Sequence, residues 1–205
     1  SAFVGHAAGE LAGAHQAGMT TVAVNYEPGI QADYYAQSLF DLLNVPIFQT
    51  SRIEKANEMD HKIKAIFLDV GNTLRIVEQD AAFQAQAREQ LAALAETTEP
   101  IDTFFEQLGV RWKAYRKWSL DNLTEASEKE LWTRFMLPDF PVEKIAPLSG
   151  KLTRLWRDKD GRRVPRHDVK QTVIDLSQRG YVLGIIANTI TETEIPDWLE
   201  ADNLT

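Results

Sequence analysis

The sequence predicts an α/β fold: a parallel sheet of about four strands, helices on both faces, and an all-helical insertion. Three observations predict it. Short β-branched or apolar runs alternate with helical stretches along the chain, which is how layered α/β proteins read. The run Ile63 to Leu68 is apolar except for Lys64, the pattern of a parallel strand covered on both faces. From Ala81 to about Leu155 the apolar residues recur at helical spacing instead, so a helical block interrupts the strands.

Ala2-Phe3-Val4 reads as the first strand, and the Gly/Ala-rich stretch from Gly5 to Gly18 suits a loop and a tightly packed helix that Gly18 ends. Thr20 to Val24 is a β-branched run bounded by the turn signal Glu27-Pro28-Gly29, hence a buried strand. Ala32 to Leu43 reads as a helix with Leu39, Leu42 and Leu43 inward, and Pro46-Ile-Phe48 closes the segment. Residues 50–62, with Arg52, Glu54, Lys55, Glu58, Asp60 and Lys62, show no strand period and read as a linker. Within the helical block the apolar residues that carry the helical spacing are Leu91, Leu94 and Ala95, then Phe104, Phe105 and Leu108, then Trp112, Tyr115 and Leu120. Ser127-Glu-Lys-Glu130 is a capping box that starts a further helix at Leu131-Trp132. Asp158-Lys-Asp-Gly161 is a turn, Val164-Pro165 leads to a helix from Val169 to Arg179, Gly180 caps it, and Tyr181 to Ala187 is the last strand. The resulting division is 1–49, a linker at 50–62, a core part at 63–78 and 162–205, and a helical insert at 79–161.

Composition narrows the function. With 44% hydrophobic and 25% charged residues the chain has the balance of a soluble globular protein. A net charge of -8 argues against nucleic acid as a partner, since that affinity rests on Lys and Arg neutralising phosphates. Without cysteine there is neither a disulfide framework nor a thiolate metal site. No apolar run approaches the roughly 20 residues that span a bilayer, and no signal-peptide pattern opens the chain, so a cytoplasmic protein without a membrane partner is expected.

Asp69 follows a buried strand directly, where the carboxyl ends of parallel strands converge and ligands bind. A carboxylate there can attack a phosphorus or carbon centre and form a covalent intermediate that water hydrolyses. Gly71 lets the loop turn and brings its carbonyl toward a cation, and Thr73 caps the turn. Taken alone, an Asp-x-x-x-Thr spacing equally describes an acid that merely ends a strand. Asn188 and neighbouring N–H groups can hold an oxyanion, or Asn188 can simply shape a turn. Read from the residues alone, Glu10 is an acid at a helix N-terminus and His6 a hydrogen-bonded loop histidine. Trp112, Tyr115, Trp118, Trp132 and Trp156 read as core, with a pocket lining as the alternative. Arg154, Arg157, Lys159, Arg162, Arg163 and Arg166 read as a solvated face, with attraction of a phosphorylated ligand as the alternative.

The string Lys64-Ala-Ile-Phe-Leu-Asp-Val-Gly-Asn-Thr-Leu74 resembles the first motif of the haloacid dehalogenase (HAD) superfamily, whose nucleophilic Asp is followed four residues later by Thr. Gly184-Ile-Ile-Ala-Asn-Thr189 resembles its second motif, and Phe3 to Met19 its last, a strand leading to acids and a Gly/Ala-rich helix. The resemblance implies a Rossmann-like, HAD-like sheet with a helical cap, its strands ordered Thr20–Val24, Ala2–Val4, Ile63–Leu68, Tyr181–Ala187. It also implies Mg²⁺-dependent hydrolysis of a small phosphorylated metabolite through an aspartyl-phosphate. Asp69 would be the nucleophile, with Thr73 and Asn188 as further catalytic groups. Asn72, Asn188 and Thr189 would bind substrate, and Asp69, the Gly71 carbonyl and Glu10 would hold the metal. The chain departs from the family pattern in four places: Gly71 stands where a second Asp serves as acid/base, Ala187 where a hydroxyl belongs, His6 where the last motif has its first acid, and no Lys motif is found. A catalytically impaired binding or scaffold module is therefore the alternative. The last motif also precedes the first, which reads as a junction of two tandem HAD domains or a permuted core, the junction being preferred. A homodimer through an open sheet edge, or a second HAD domain, is the expected protein partner.

Overall fold

The computed structural model describes residues 1–49 and 63–204; the expected linker at 50–62 lies outside the described residues. In chain order the elements are β1 (Ala2–Gly5), α1 (Ala8–Gln16), β2 (Thr20–Val24), β3 (Tyr34–Ala36), β4 (Ala65–Leu68), β5 (Arg75–Glu78), α2 (Ala81–Ala95), α3 (Ile101–Asn122), α4 (Glu128–Glu130), α5 (Val142–Ile145), α6 (Ser149–Asp158), β6 (Arg162–Pro165), α7 (Val169–Gln178), β7 (Val182–Ile185) and α8 (Glu194–Ala201). Short 3₁₀ turns occupy Phe40–Asn44, Pro46–Phe48 and Ala146–Leu148, and α4 runs on into a π-helix over Leu131–Met136. The described residues form two units, one of 1–76 with 164–188, the other of 77–163 with 189–203.

The first unit is a five-stranded sheet in the order β3-β2-β1-β4-β7, every pairing parallel. The four strands expected from the sequence stand in the expected order. Every residue of β1 is buried, as are Ile66 and Leu68 of β4, which explains the nearly unbroken apolar runs. Phe3, Leu11 and Ala23 form a core against one face, with Phe67 and Met19 packed on them. Helix α1 packs on this face through Leu11, which is fully buried. Gly18 adopts φ +75°, the left-handed turn beyond the helix end that glycine takes at no steric cost, and the chain passes straight into β2.

Because β1 and β4 pair within one sheet, residues 1–49 and 63–76 share a single core. The segment Ala32–Leu43, expected to be one helix, is instead an edge strand and a 3₁₀ turn. Its leucines are inward as expected, with Leu39, Leu42 and Leu43 all buried. What holds the turn comes from far along the chain. The Asp168 carboxylate accepts hydrogen bonds from the N–H groups of Leu39 (2.8 Å) and Phe40 (3.3 Å), while Arg179 donates to the carbonyls of Leu43 and Phe48 at 2.8 Å.

The second unit is helical. Leu91, Phe104, Leu108, Tyr115, Leu131, Trp132, Met136, Leu152 and Trp156 form its core, and each fully buried side chain of this size contributes roughly 1.5–3 kcal/mol. Tyr115, Trp132 and Trp156 are thus core, and Trp112 and Trp118 pack against that core while remaining partly buried. The N-cap half of the capping box is formed, with Ser127 Oγ accepting from the Glu130 N–H at 3.2 Å, while the Glu130 carboxylate accepts from Arg134 at 2.6 Å. Residues 189–203 belong to this unit rather than to the core segment the sequence suggested. Ion pairs secure them: Arg157 with the buried Glu194 at 2.8 Å, and Arg154 with Asp197. The basic cluster is accordingly neutralised within the fold, Arg162 facing Asp80 and Arg166 facing Asp168. Among the described residues no helix is long and apolar enough to cross a membrane.

Candidate functional site

Register decides which side chains meet at the carboxyl end of the sheet. Val4 of β1 lies opposite Leu68 of β4, and the Asp69 N–H extends the ladder by donating to the Val4 carbonyl at 2.9 Å. Asp69 therefore leaves the central part of the sheet beside Gly5 and His6. Gly5 brings the backbone close to its neighbours: a Cβ there would stand 2.7 Å from the Phe3 ring and 3.6 Å from Glu10 Oε2. Glu10, in the first turn of α1, thus reaches back over the end of β1.

Asp69 is 4% exposed. Its Oδ2 accepts from Thr73 Oγ1 at 3.0 Å and lies 3.3 Å from His6 Nδ1; no hydrogen bond from the described residues engages Oδ1. Thr73 is itself fully buried, so it is a fixed donor that orients the carboxylate. The turn that presents it is closed by the N–H groups of Leu74 and Arg75, both donating to the Val70 carbonyl at 2.9 Å. Gly71 and Asn72 are exposed at its tip, and Asn72 takes φ +52°, a left-handed conformation that Asn tolerates better than most residues. The side chain of Asn72 meets His6 Nε2 at 3.4 Å, and its carbonyl accepts from Asn25 Nδ2 at 3.3 Å. The imidazole thus bridges the buried acid and the exposed amide.

One ligand atom from each of His6, Glu10 and Asp69 lies within 4.8 Å of the other two. Glu10 Oε2 is shielded from solvent and has no hydrogen-bond partner among the described residues. Burial, and then the negative charge of Asp69, hold the Glu10 carboxyl above its ordinary value, opposed by His6 and by the Ala7 backbone.

Of the residues singled out in the sequence, Asp69, Thr73, Asn72 and Glu10 come together here, and Gly71 opens the turn beside them. Asn188 is exposed beyond the end of β7, whose Ile186 N–H donates to the Leu68 carbonyl at 3.1 Å, so it leaves the same end of the sheet. Thr189 falls in the helical unit, where its Oγ1 accepts from Arg157 at 3.4 Å and from the Thr191 N–H at 3.2 Å. His6 is hydrogen-bonded, as the loop-histidine reading expects, but its partners are the two site residues Asp69 and Asn72, which that reading does not supply. Its signal was positional: it follows β1 as directly as Asp69 follows β4. The Asn25 contact had no sequence signal. Comparison with protein-family models, with curated proteins and with solved structures gives no match to this chain.

Proposed function

We propose that the chain is a HAD-like hydrolase of small phosphate monoesters in which Asp69 is the nucleophile, with the helical unit as its cap. The observation that carries this reading is a carboxylate at the tip of a central parallel strand, oriented through Oδ2 by buried Thr73 while no hydrogen bond from the described residues engages Oδ1. That is the arrangement a nucleophilic acid needs. Oδ1 attacks phosphorus, the ester P–O bond breaks, and the departing alkoxide takes a proton from water, since position 71 carries no acid. Water then attacks the aspartyl-phosphate, releasing phosphate and the Asp69 carboxylate. In this reading Asn72 at the turn tip and exposed Asn188 donate to phosphate oxygens.

Mg²⁺, which the resemblance implies, demands near-octahedral oxygen ligands. Glu10 and Asp69 meet that demand, but the third side chain of the cluster is an imidazole. The donor set does not fit Mg²⁺, and no step here runs through it.

The test is a screen of small phosphate monoesters, run with divalent ions and comparing the wild-type chain with Asp69→Asn. Activity lost by at least about 10³-fold in the variant is expected. Equal activity in both, including none, rejects the nucleophile and favours the second reading, a binding or scaffold module. Gly71, Ala187 and the 4% exposure of Asp69 speak for that alternative.

A further inference from the structure

The mismatch with Mg²⁺ has a chemical direction. One imidazole nitrogen and two carboxylates are a donor set for the borderline ions of the first transition row, which accept nitrogen and oxygen together. Ligand atoms sharing one ion at bonds of about 2.0–2.2 Å stand roughly 3–3.5 Å apart. His6 Nδ1 and Asp69 Oδ2 already stand 3.3 Å apart, and the widest separation within the triad is under 4.8 Å. Glu10 Oε2, buried and without a donor among the described residues, supplies an independent indication, since a cation is a partner that would satisfy it.

We infer that His6, Glu10 and Asp69 form a binding site for a first-row transition divalent ion, with Zn²⁺ bound more tightly than Mn²⁺ and Mn²⁺ more tightly than Mg²⁺. The inference deepens the proposed function and rests on its placement of Asp69, but it needs no turnover. Asn72 completes the site from outside. With the ion on Nδ1, the ring proton sits on Nε2, and a rotated Asn72 amide presents Oδ1 to accept it, the kind of outer hydrogen bond that orients a ligating histidine.

Isothermal titration calorimetry of the full chain with ZnCl₂, MnCl₂ and MgCl₂ tests it. One equivalent of Zn²⁺ should bind at least about 100-fold more tightly than Mg²⁺, with Mn²⁺ between them. Glu10→Gln should weaken Zn²⁺ binding at least about tenfold, and His6→Asp should weaken Zn²⁺ while strengthening Mg²⁺. His15→Asn, altering the histidine that lies 3.8 Å from Asp33, should change nothing. In the unmutated chain, Mn²⁺ should broaden the His6 imidazole resonances selectively, a readout that no folding defect can mimic. Mg²⁺ binding as tight as Zn²⁺, absence of binding, Zn²⁺ binding indifferent to both Glu10→Gln and His6→Asp, or His6 resonances unaffected by Mn²⁺ would each overturn the site. Selective Zn²⁺ binding without hydrolysis by any form keeps the site and removes the hydrolase reading. Hydrolysis dependent on Asp69, without selective Zn²⁺ binding, does the reverse.

Discussion

Thr153 satisfies two buried groups with one hydroxyl. It accepts from the indole N–H of Trp132 at 2.8 Å and donates to the Ser149 carbonyl at 2.9 Å, with both side chains fully buried. Thr153→Val keeps the shape but leaves the indole donor unpaired, and should lower the urea-unfolding free energy by about 1–3 kcal/mol. A variant as stable as the wild type would mean the indole has found another acceptor. Single residues were legible in the sequence when burial alone decided them. Trp132 and Trp156 read as core and are core. Residues whose role depends on a partner were not legible: nothing in the sequence pairs Trp132 with Thr153, or His6 with Asp69, because those partners lie 21 and 63 positions away.

Among the elements, the 3₁₀ turn Phe40–Asn44 depends on Asp168. Burial alone would raise the carboxyl of Asp168, but the charge and hydrogen bond of Arg166, together with the N–H of Phe40, outweigh it and hold the group below its ordinary 3.8. Such a group stabilises the fold fully above that ordinary value, and the contribution disappears as acid protonates the folded form. Asp168→Asn should cost about 2 kcal/mol near neutrality. Between about pH 5 and pH 2 the wild type should lose more stability than the variant, as chemical denaturation across that range would show. Parallel slopes would remove Asp168 from the acid response. The same dependence explains why this segment was misread: Leu39, Leu42 and Leu43 recur at spacings that suit a helix, and they do point inward. A helix begun at Ala32 loses, however, to parallel pairing of Tyr34–Ala36 with Val22–Val24, and to caps supplied from residues 168 and 179. β5 and β6, which among the described residues pair with each other in a two-stranded sheet, also escaped the sequence, since four-residue strands carrying Arg show no clear alternation.

On the scale of the whole molecule, the sheet order was legible because four strands carry strong apolar runs and the motif resemblance ranked them. Continuity of the core across residues 50–62 was not, since a polar stretch reads alike whether it separates two domains or links parts of one. Among the described residues β7 pairs on one side only, and Val182 and Ile186 are exposed along it. Such an edge favours self-association. Light scattering behind size exclusion should show dimer growing with concentration, and Val182→Lys should suppress it; wild-type monomer throughout would exclude the contact. The parallel register of β1 and β4 has one more consequence. A slip of one residue would turn every side chain of β1 to the opposite face, taking His6 away from Asp69 while leaving most backbone hydrogen bonds available. Ion uptake by refolded chains would therefore count correctly aligned molecules, separating them from misaligned ones that circular dichroism scores as equally structured.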